Sequence, residues 1–221
     1  MNQTNYQKEL EKIMDKVSGT DKKSVPALLL HSCCAPCSSY VLEYLCSYFK
    51  ITVFYFNPNI SEAEEYRKRV AEQIRLIASY NHEKKGYPIS VEEGNYEPLR
   101  FLEAAKGLEN CPEGGDRCFR CYEMRLRETA KRGAAAGYDY FTTTLTISPL
   151  KNAQKLNEIG YDMAQEYGIA WLPSDFKKRD GYKRSVELSA RYDLYRQDYC
   201  GCTYSKMQRD IRCKKSTDLQ P

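Results

Sequence analysis

The sequence predicts an α/β fold on a largely parallel sheet, and three observations carry that expectation. Strand-like and helix-like segments alternate along the chain, the order in which helical crossovers join parallel strands. Val25 to His31 is a short apolar run, as a buried strand is, and Ile51 to Phe56 is rich in β-branched and aromatic residues and is broken by Asn57-Pro58-Asn59. The length of 221 residues suits one domain with a modest appendage, whose core needs no disulfide staples.

Taken in order, the first 24 residues are charged and read as an amphipathic helix without the apolar segment of a secretory signal. Val25 to His31 is a first strand, followed by a helix to about Tyr48. Ile51 to Phe56 is a second strand, broken by Asn57-Pro58-Asn59. Ser61 is expected to cap the next helix, with Glu64 completing a capping box and Val70, Ile74 and Ile77 as its apolar face. Tyr87 to Val91 gives a weaker third strand and Tyr96 to Ala105 a helix. A long helix runs from Cys118 to about Ala136 and stops before Gly137. Tyr138 to Thr144 is a strand, Ser148-Pro149 a helix start, and Ile169 to Leu172 a last strand. The expected organisation is thus a single domain: an α/β core over 25–173, a helical and loop extension over 174–205 across the active site, and a tail at 206–221.

The charge balance, 34 basic against 30 acidic side chains, argues neither for nor against nucleic acid. Nineteen tyrosines are compatible with stacking on unpaired bases. No run approaches a membrane span, so no membrane partner is expected. The expected compartment is the reducing cytoplasm, where clustered cysteines mean metal or redox chemistry more often than structural disulfides.

Eight of the ten cysteines fall into groups: Cys33, Cys34 and Cys37; Cys111, Cys118 and Cys121; Cys200 and Cys202. Cys46 and Cys213 stand alone and read as small buried hydrophobes. The first group follows a strand and opens a helix, where an α/β fold places its crevice and where helix dipoles favour thiolates. Cys118-x-x-Cys121 also opens a helix, so two loops can converge. Four thiolates from two loops suit zinc or a [4Fe–4S] cluster, and spacing leaves both open. Adjacent cysteines lean toward the cluster, whose ligand positions lie several ångströms apart. In Cys200-Gly201-Cys202 a bond would close a tight ring that Gly makes feasible, which points to a redox-active pair.

These groups sit in a wider set of motifs. His31-Ser32-Cys33-Cys34-Ala35-Pro36-Cys37, Tyr55-Phe56-Asn57-Pro58-Asn59-Ile60, Glu65-Tyr66-Arg67-Lys68-Arg69, Arg117-Cys118-Phe119-Arg120-Cys121-Tyr122, the stretch Thr142 to Pro149, and Tyr195-Arg196-Gln197-Asp198-Tyr199-Cys200-Gly201-Cys202 occur in one order. Together they resemble the signature of the cobalamin-independent epoxyqueuosine reductases, the QueH-type family, from about His31 to Ser205. The resemblance implies a Rossmann-like sheet of the nucleotide α-hydrolase (HUP-like) kind, flanked by helices. It implies an oxidoreductase that reduces epoxyqueuosine to queuosine at the wobble position of tRNA, the last step of queuosine biosynthesis. Carried over, Cys33, Cys34, Cys118 and Cys121 would hold a [4Fe–4S] cluster, and Cys200 and Cys202 would be the redox-active disulfide. Cys37 and Asp116 are the expected ligands of an additional iron.

Opening an epoxide also needs a proton donor. His31, one of two histidines, is the expected one, with Tyr122, Asp175 and Asp198 behind it. An electron donor of unknown identity completes the partners. Lys177, Lys178, Arg179, Lys183, Arg184, Arg191 and Arg196, interleaved with Phe176, Tyr182, Tyr192 and Tyr195, are expected to meet a tRNA anticodon loop. Arg67, Lys68 and Arg69 form a second basic candidate. Two other readings stand beside the reductase: a zinc-stapled RNA-binding protein without redox activity, and a sulfur-transfer enzyme. The latter lacks the Gly-rich phosphate cradle such enzymes use.

Overall fold

The structure is a computed structural model that describes residues 4–19 and 25–217. The chain opens with α1 (Tyr6–Ser18) and β1 (Ala27–His31), followed by α2 (Ala35–Leu45) and β2 (Lys50–Tyr55). α3 (Ala63–Glu83), β3 (Ser90–Glu93), α4 (Pro98–Ala105) and α5 (Asp116–Ala135) come next. β4 (Tyr140–Thr143), α6 (Ala153–Tyr167) and β5 (Ala170–Trp171) complete the sheet, and α7 (Gly181–Arg191) and α8 (Thr203–Thr217) end the described chain. All strand pairs are parallel, in the order β3-β2-β1-β4-β5. This is the Rossmann-like arrangement, with its topological switch between β1 and β4.

β1 is the middle of the molecule because it alternates as a strand covered on both faces must. Leu28 and Leu30 point into one apolar layer with Val41, Leu42, Leu76 and Leu188. Leu29 points into the other, with Leu126, Phe141, Leu156 and Trp171. Each of these leucines is fully enclosed, a burial that contributes about 1.5–3 kcal/mol per side chain.

Four expected boundaries move, each for a visible reason. Ser61 does not cap α3, whose N-cap is Glu62 with no side-chain bond; Ser61 Oγ instead accepts from Thr203 N at the start of α8. Ile74 faces solvent, because the buried face of α3 is Tyr66, Arg69, Gln73, Leu76, Ile77 and Tyr80. Ser148-Pro149 does not start α6. Ser148 instead closes the 3₁₀ turn Thr144–Ile147 as its C-cap, and Asn152 caps α6 by accepting from Lys155 N. The expected tail is helical through Thr217, tied down by Ser61 with Thr203, Glu62 with Lys206 and Asp198 with Arg209. Cys213, expected to be buried, is exposed, whereas Cys46 is buried as expected. No described helix is long and apolar enough to cross a membrane.

Candidate thiol-lined functional site

Beyond the last register pair of the switch point, His31 with Thr143, the two strands part. Cys33 N donates to Thr144 Oγ1 at 3.2 Å across the gap. Helix N-termini gather here, and each carries thiols. Cys34 is the N-cap of α2 and Cys37 lies in its first turn. Cys118 opens α5 and accepts from Gly114 N at 3.3 Å. Cys202 precedes α8, and its sulfur accepts from Ser205 N at 3.4 Å as an N-cap oxygen would.

The sulfurs of Cys33, Cys34 and Cys37 lie within 4.8 Å of one another and form a group that could hold a metal. In this triad the Cys33 thiol is pushed well down, first by hydrogen bonds from Cys34 and Cys37 and then by the Arg125 charge. Those same bonds, donated to the Cys33 sulfur, push Cys34 and Cys37 up. One thiolate is therefore favoured before any metal binds. Burial raises the Cys121 thiol to about 12 against the pull of Arg125, and burial raises Cys202 as well.

Buried cations surround these sulfurs, among them Arg125, Lys151 and Arg69. Arg125, one turn after Cys121 on the same face of α5, is 1% exposed and has no carboxylate partner among the described residues. Its Nε donates to His31 Nε2 at 3.1 Å, and its other nitrogens donate to Asn57 Oδ1 and, at 3.9 Å, to Cys121 Sγ. Lys151 Nζ donates to Cys200 Sγ at 3.1 Å and lies 3.7 Å from the Glu113 carboxylate. Arg69 pairs with Glu65 and donates to the carbonyls of Tyr199 and Cys200. That contact explains Gly201, which has a φ of +120° and whose missing Cβ leaves room for Ile60 and Arg69. The redox-pair candidate is thus clamped to α3, and Arg69 is a support for that loop instead of the phosphate contact its basic neighbours suggested.

Two adjoining cavities open among these groups. The larger, about 340 Å³, is lined by Cys33, Cys34 and Cys37, with Arg196, Arg212 and Tyr182 among its outer residues. The smaller, about 20 Å³, holds about one water's worth of space between Cys118, Cys121, Cys200 and Cys202. Cys200, Lys151 and Glu113 stand in both walls. Tyr122 Oη and Asn59 Oδ1 are buried on the wall of the smaller cavity without a hydrogen-bond partner among the described residues.

The remaining expected residues lie elsewhere. His31 is fully buried and belongs to neither wall. The Arg125 bond makes Nε2 the acceptor, so Nδ1–H donates to Thr143 Oγ1 at 2.8 Å. Burial and the Arg125 charge push its pKa down to about 3. Asp116 lines a separate groove with Phe119, Arg127 and Lys155. Asp175 pairs with Lys177 and Lys178, and Asp198 with Arg209. The basic stretch before and along α7 is largely spent in ion pairs: Arg179 with Glu11, Arg184 with Glu43 and Glu187, Arg191 with Glu83. Sequence reasoning passed over Arg125 and Lys151. The four-residue spacing from Cys121 could have flagged Arg125, whereas nothing local marks Lys151.

A model of the family described as epoxyqueuosine reductase QueH matches residues 28–208. Epoxyqueuosine reductase QueH of Staphylococcus epidermidis is 45% identical over 96% of this chain and 88% of its own length. The protein of that name from Streptococcus pyogenes is 47% identical over 85% of this chain and 74% of its own. A more distant relative of the same name, from Thermotoga maritima, is 34% identical over 82% of this chain and 91% of its own.

Proposed function

The chain belongs to the epoxyqueuosine reductase QueH family, and from that premise we propose that it is the oxidoreductase that converts epoxyqueuosine to queuosine in tRNA. The observation that supports this chemistry at this site is the convergence of seven thiols on two adjoining cavities beside buried cations. Thiols of this number and softness suit iron–sulfur ligation. The cations fit it as well: a buried guanidinium facing sulfur instead of a carboxylate needs an anionic neighbour.

In this reading Cys33, Cys34, Cys118 and Cys121 hold a [4Fe–4S] cluster. Cys37, grouped with Cys33 and Cys34, is the ligand available to an additional iron; Asp116 faces another groove and is a weaker partner for it. Such a group, when bound, supplies single-electron transfer and Lewis acidity. Cys200 and Cys202 form the redox pair, and an electron donor returns them to the dithiol. Arg125 balances the thiolate charge and orients His31 and Asn57 beneath it. His31, enclosed and neutral, is a supporting group, and the proton must come from a residue on the cavity wall. The larger cavity takes the modified base of the anticodon loop, with Tyr182 and Tyr199 offering stacking faces and Arg196 and Arg212 meeting phosphates.

The test is to reconstitute the protein anaerobically with iron and sulfide, reduce it, and incubate it with tRNA carrying epoxyqueuosine before nucleoside analysis. Queuosine should form, and iron-dependent absorbance near roughly 400 nm should accompany activity. Cys118→Ala should lose both colour and activity, whereas Cys200→Ser should keep the colour and lose turnover. Failure of the wild type to form queuosine under strong reduction would refute the activity. A colourless protein with stoichiometric zinc would refute the cluster.

A further inference from the structure

Lys151 is 8% exposed at its side chain, yet it follows a turn on the surface and sits beside Leu150, which is largely exposed. The chain therefore turns this one ammonium inward. Its nearest partners are the Cys200 sulfur at 3.1 Å and the Glu113 carboxylate at 3.7 Å, and all three stand in the walls of both cavities. A buried lysine between a reactive thiol and a substrate-sized space is a proton carrier by position. His31 cannot take that role, being outside both walls with both ring nitrogens engaged. Burial alone would lower the Lys151 pKa, but its interactions with Cys200, Tyr122 and Glu113 outweigh burial and raise it well above the usual value, so the ammonium keeps its proton until a stronger base forms beside it. The alkoxide of an opening epoxide is such a base.

Resting on the reading of Cys200 and Cys202 as the redox pair, the geometry points to Lys151 as a catalytic residue that carries a proton from Cys200 to the epoxide oxygen. The balance closes. Two C–O bonds of the epoxide break and the C=C bond forms, while two S–H bonds break and the Cys200–Cys202 disulfide forms. The dithiol supplies two electrons and two protons, and the oxygen leaves as water. Lys151 gives one of those protons to the oxygen and is reloaded by Cys200.

The experiment uses reconstituted, prereduced enzyme freed of excess reductant, in a single turnover on tRNA carrying epoxyqueuosine. Lys151→Met should slow queuosine formation by roughly 100-fold or more, the usual share of a general acid, with tRNA affinity within about twofold. Lys151→Arg should stay slow although it keeps the charge, because guanidinium does not release its proton. Added ethylammonium should restore the rate of Lys151→Ala in proportion to its concentration. The thiol–disulfide equilibrium of Cys200 and Cys202 against glutathione in the metal-free chain gives a readout independent of turnover. There Lys151→Met should favour the disulfide by about tenfold, or about 30 mV, since the ammonium supports the reduced form. Active wild type with an equally fast Lys151→Met, no rescue by amine, or an unmoved glutathione equilibrium would each overturn the assignment. A wild type that forms no queuosine refutes the activity itself, and the glutathione equilibrium then still decides whether Lys151 is coupled to Cys200.

Discussion

Two regions of this molecule are dense in cations, and they use them in opposite ways. Around α7, Arg179, Arg184 and Arg191 each reach a glutamate on an earlier helix, and together they fasten the C-terminal extension to α1, α2 and α3. At the thiol-lined site, Arg125 and Lys151 are more deeply buried and face sulfur, Arg125 with no carboxylate partner among the described residues and Lys151 shared between the Cys200 thiol and Glu113. Exposed ion pairs contribute about 0–1 kcal/mol each, so the first region gains modest adhesion. A buried cation without a carboxylate costs much more unless an anion arrives. The location of the counter-charge, and not the number of positive side chains, separates structural cations from those poised for a ligand.

The strongest way to break that contrast is Arg125→Met. Removing the guanidinium should leave a folded chain that retains less than about a tenth of the wild-type iron after desalting, since outer-shell groups of metal sites contribute roughly 10- to 100-fold in affinity. Iron assay and far-ultraviolet circular dichroism on the same sample check it. Full iron content would put Arg125 with the structural arginines of α7.

A smaller effect should distinguish the two regions toward tRNA. Arg196→Gln and Arg212→Gln, at the mouth of the larger cavity, should weaken tRNA binding by about tenfold together and flatten its salt dependence. Neutralising Lys177, Arg184 and Arg191, already paired with acids, should change affinity by less than about twofold. Filter binding across a salt series reads both. Equal losses would restore the whole basic stretch as the nucleic-acid face.

The sequence made these two regions hard to tell apart. Strand alternation in Leu28, Leu29 and Leu30 and the punctuation around β2 and β4 were legible, because they are local. The cysteine groups were legible for the same reason: they cluster around helix starts, with Cys34 as the N-cap of α2 and Cys37 and Cys118 in first turns. Arg125 was not, because the run from Cys121 to Arg132 holds several arginines and only burial singles one out. The partners of α7 lie far away in the chain, Glu83 108 positions from Arg191 and Glu11 168 from Arg179. A free basic patch and a stapled one therefore read alike. The buried face of α3 was blurred by Arg69 and Gln73, polar residues turned inward to serve the site.

The smallest effect tests the stapling itself, through Glu43. Burial would push its carboxyl up, but the hydrogen bonds and charge of Arg184, joined by Lys85, outweigh that and hold it below the ordinary value. A carboxyl lowered in the folded state contributes stability at pH values above its unfolded pKa of about 4.3 and loses it as pH falls through the lowered value. Arg184→Gln should therefore cost at most about 1 kcal/mol near pH 7, discounted for the partly exposed pair. The cost should shrink toward nothing well below about pH 4, where Glu43 is protonated in both states. Urea unfolding of wild type and variant at both pH values measures the difference. A cost that persists in acid would mean that Arg184 holds α7 by packing its stem against α2, and that charge pairing is not what distinguishes this region from the thiol site.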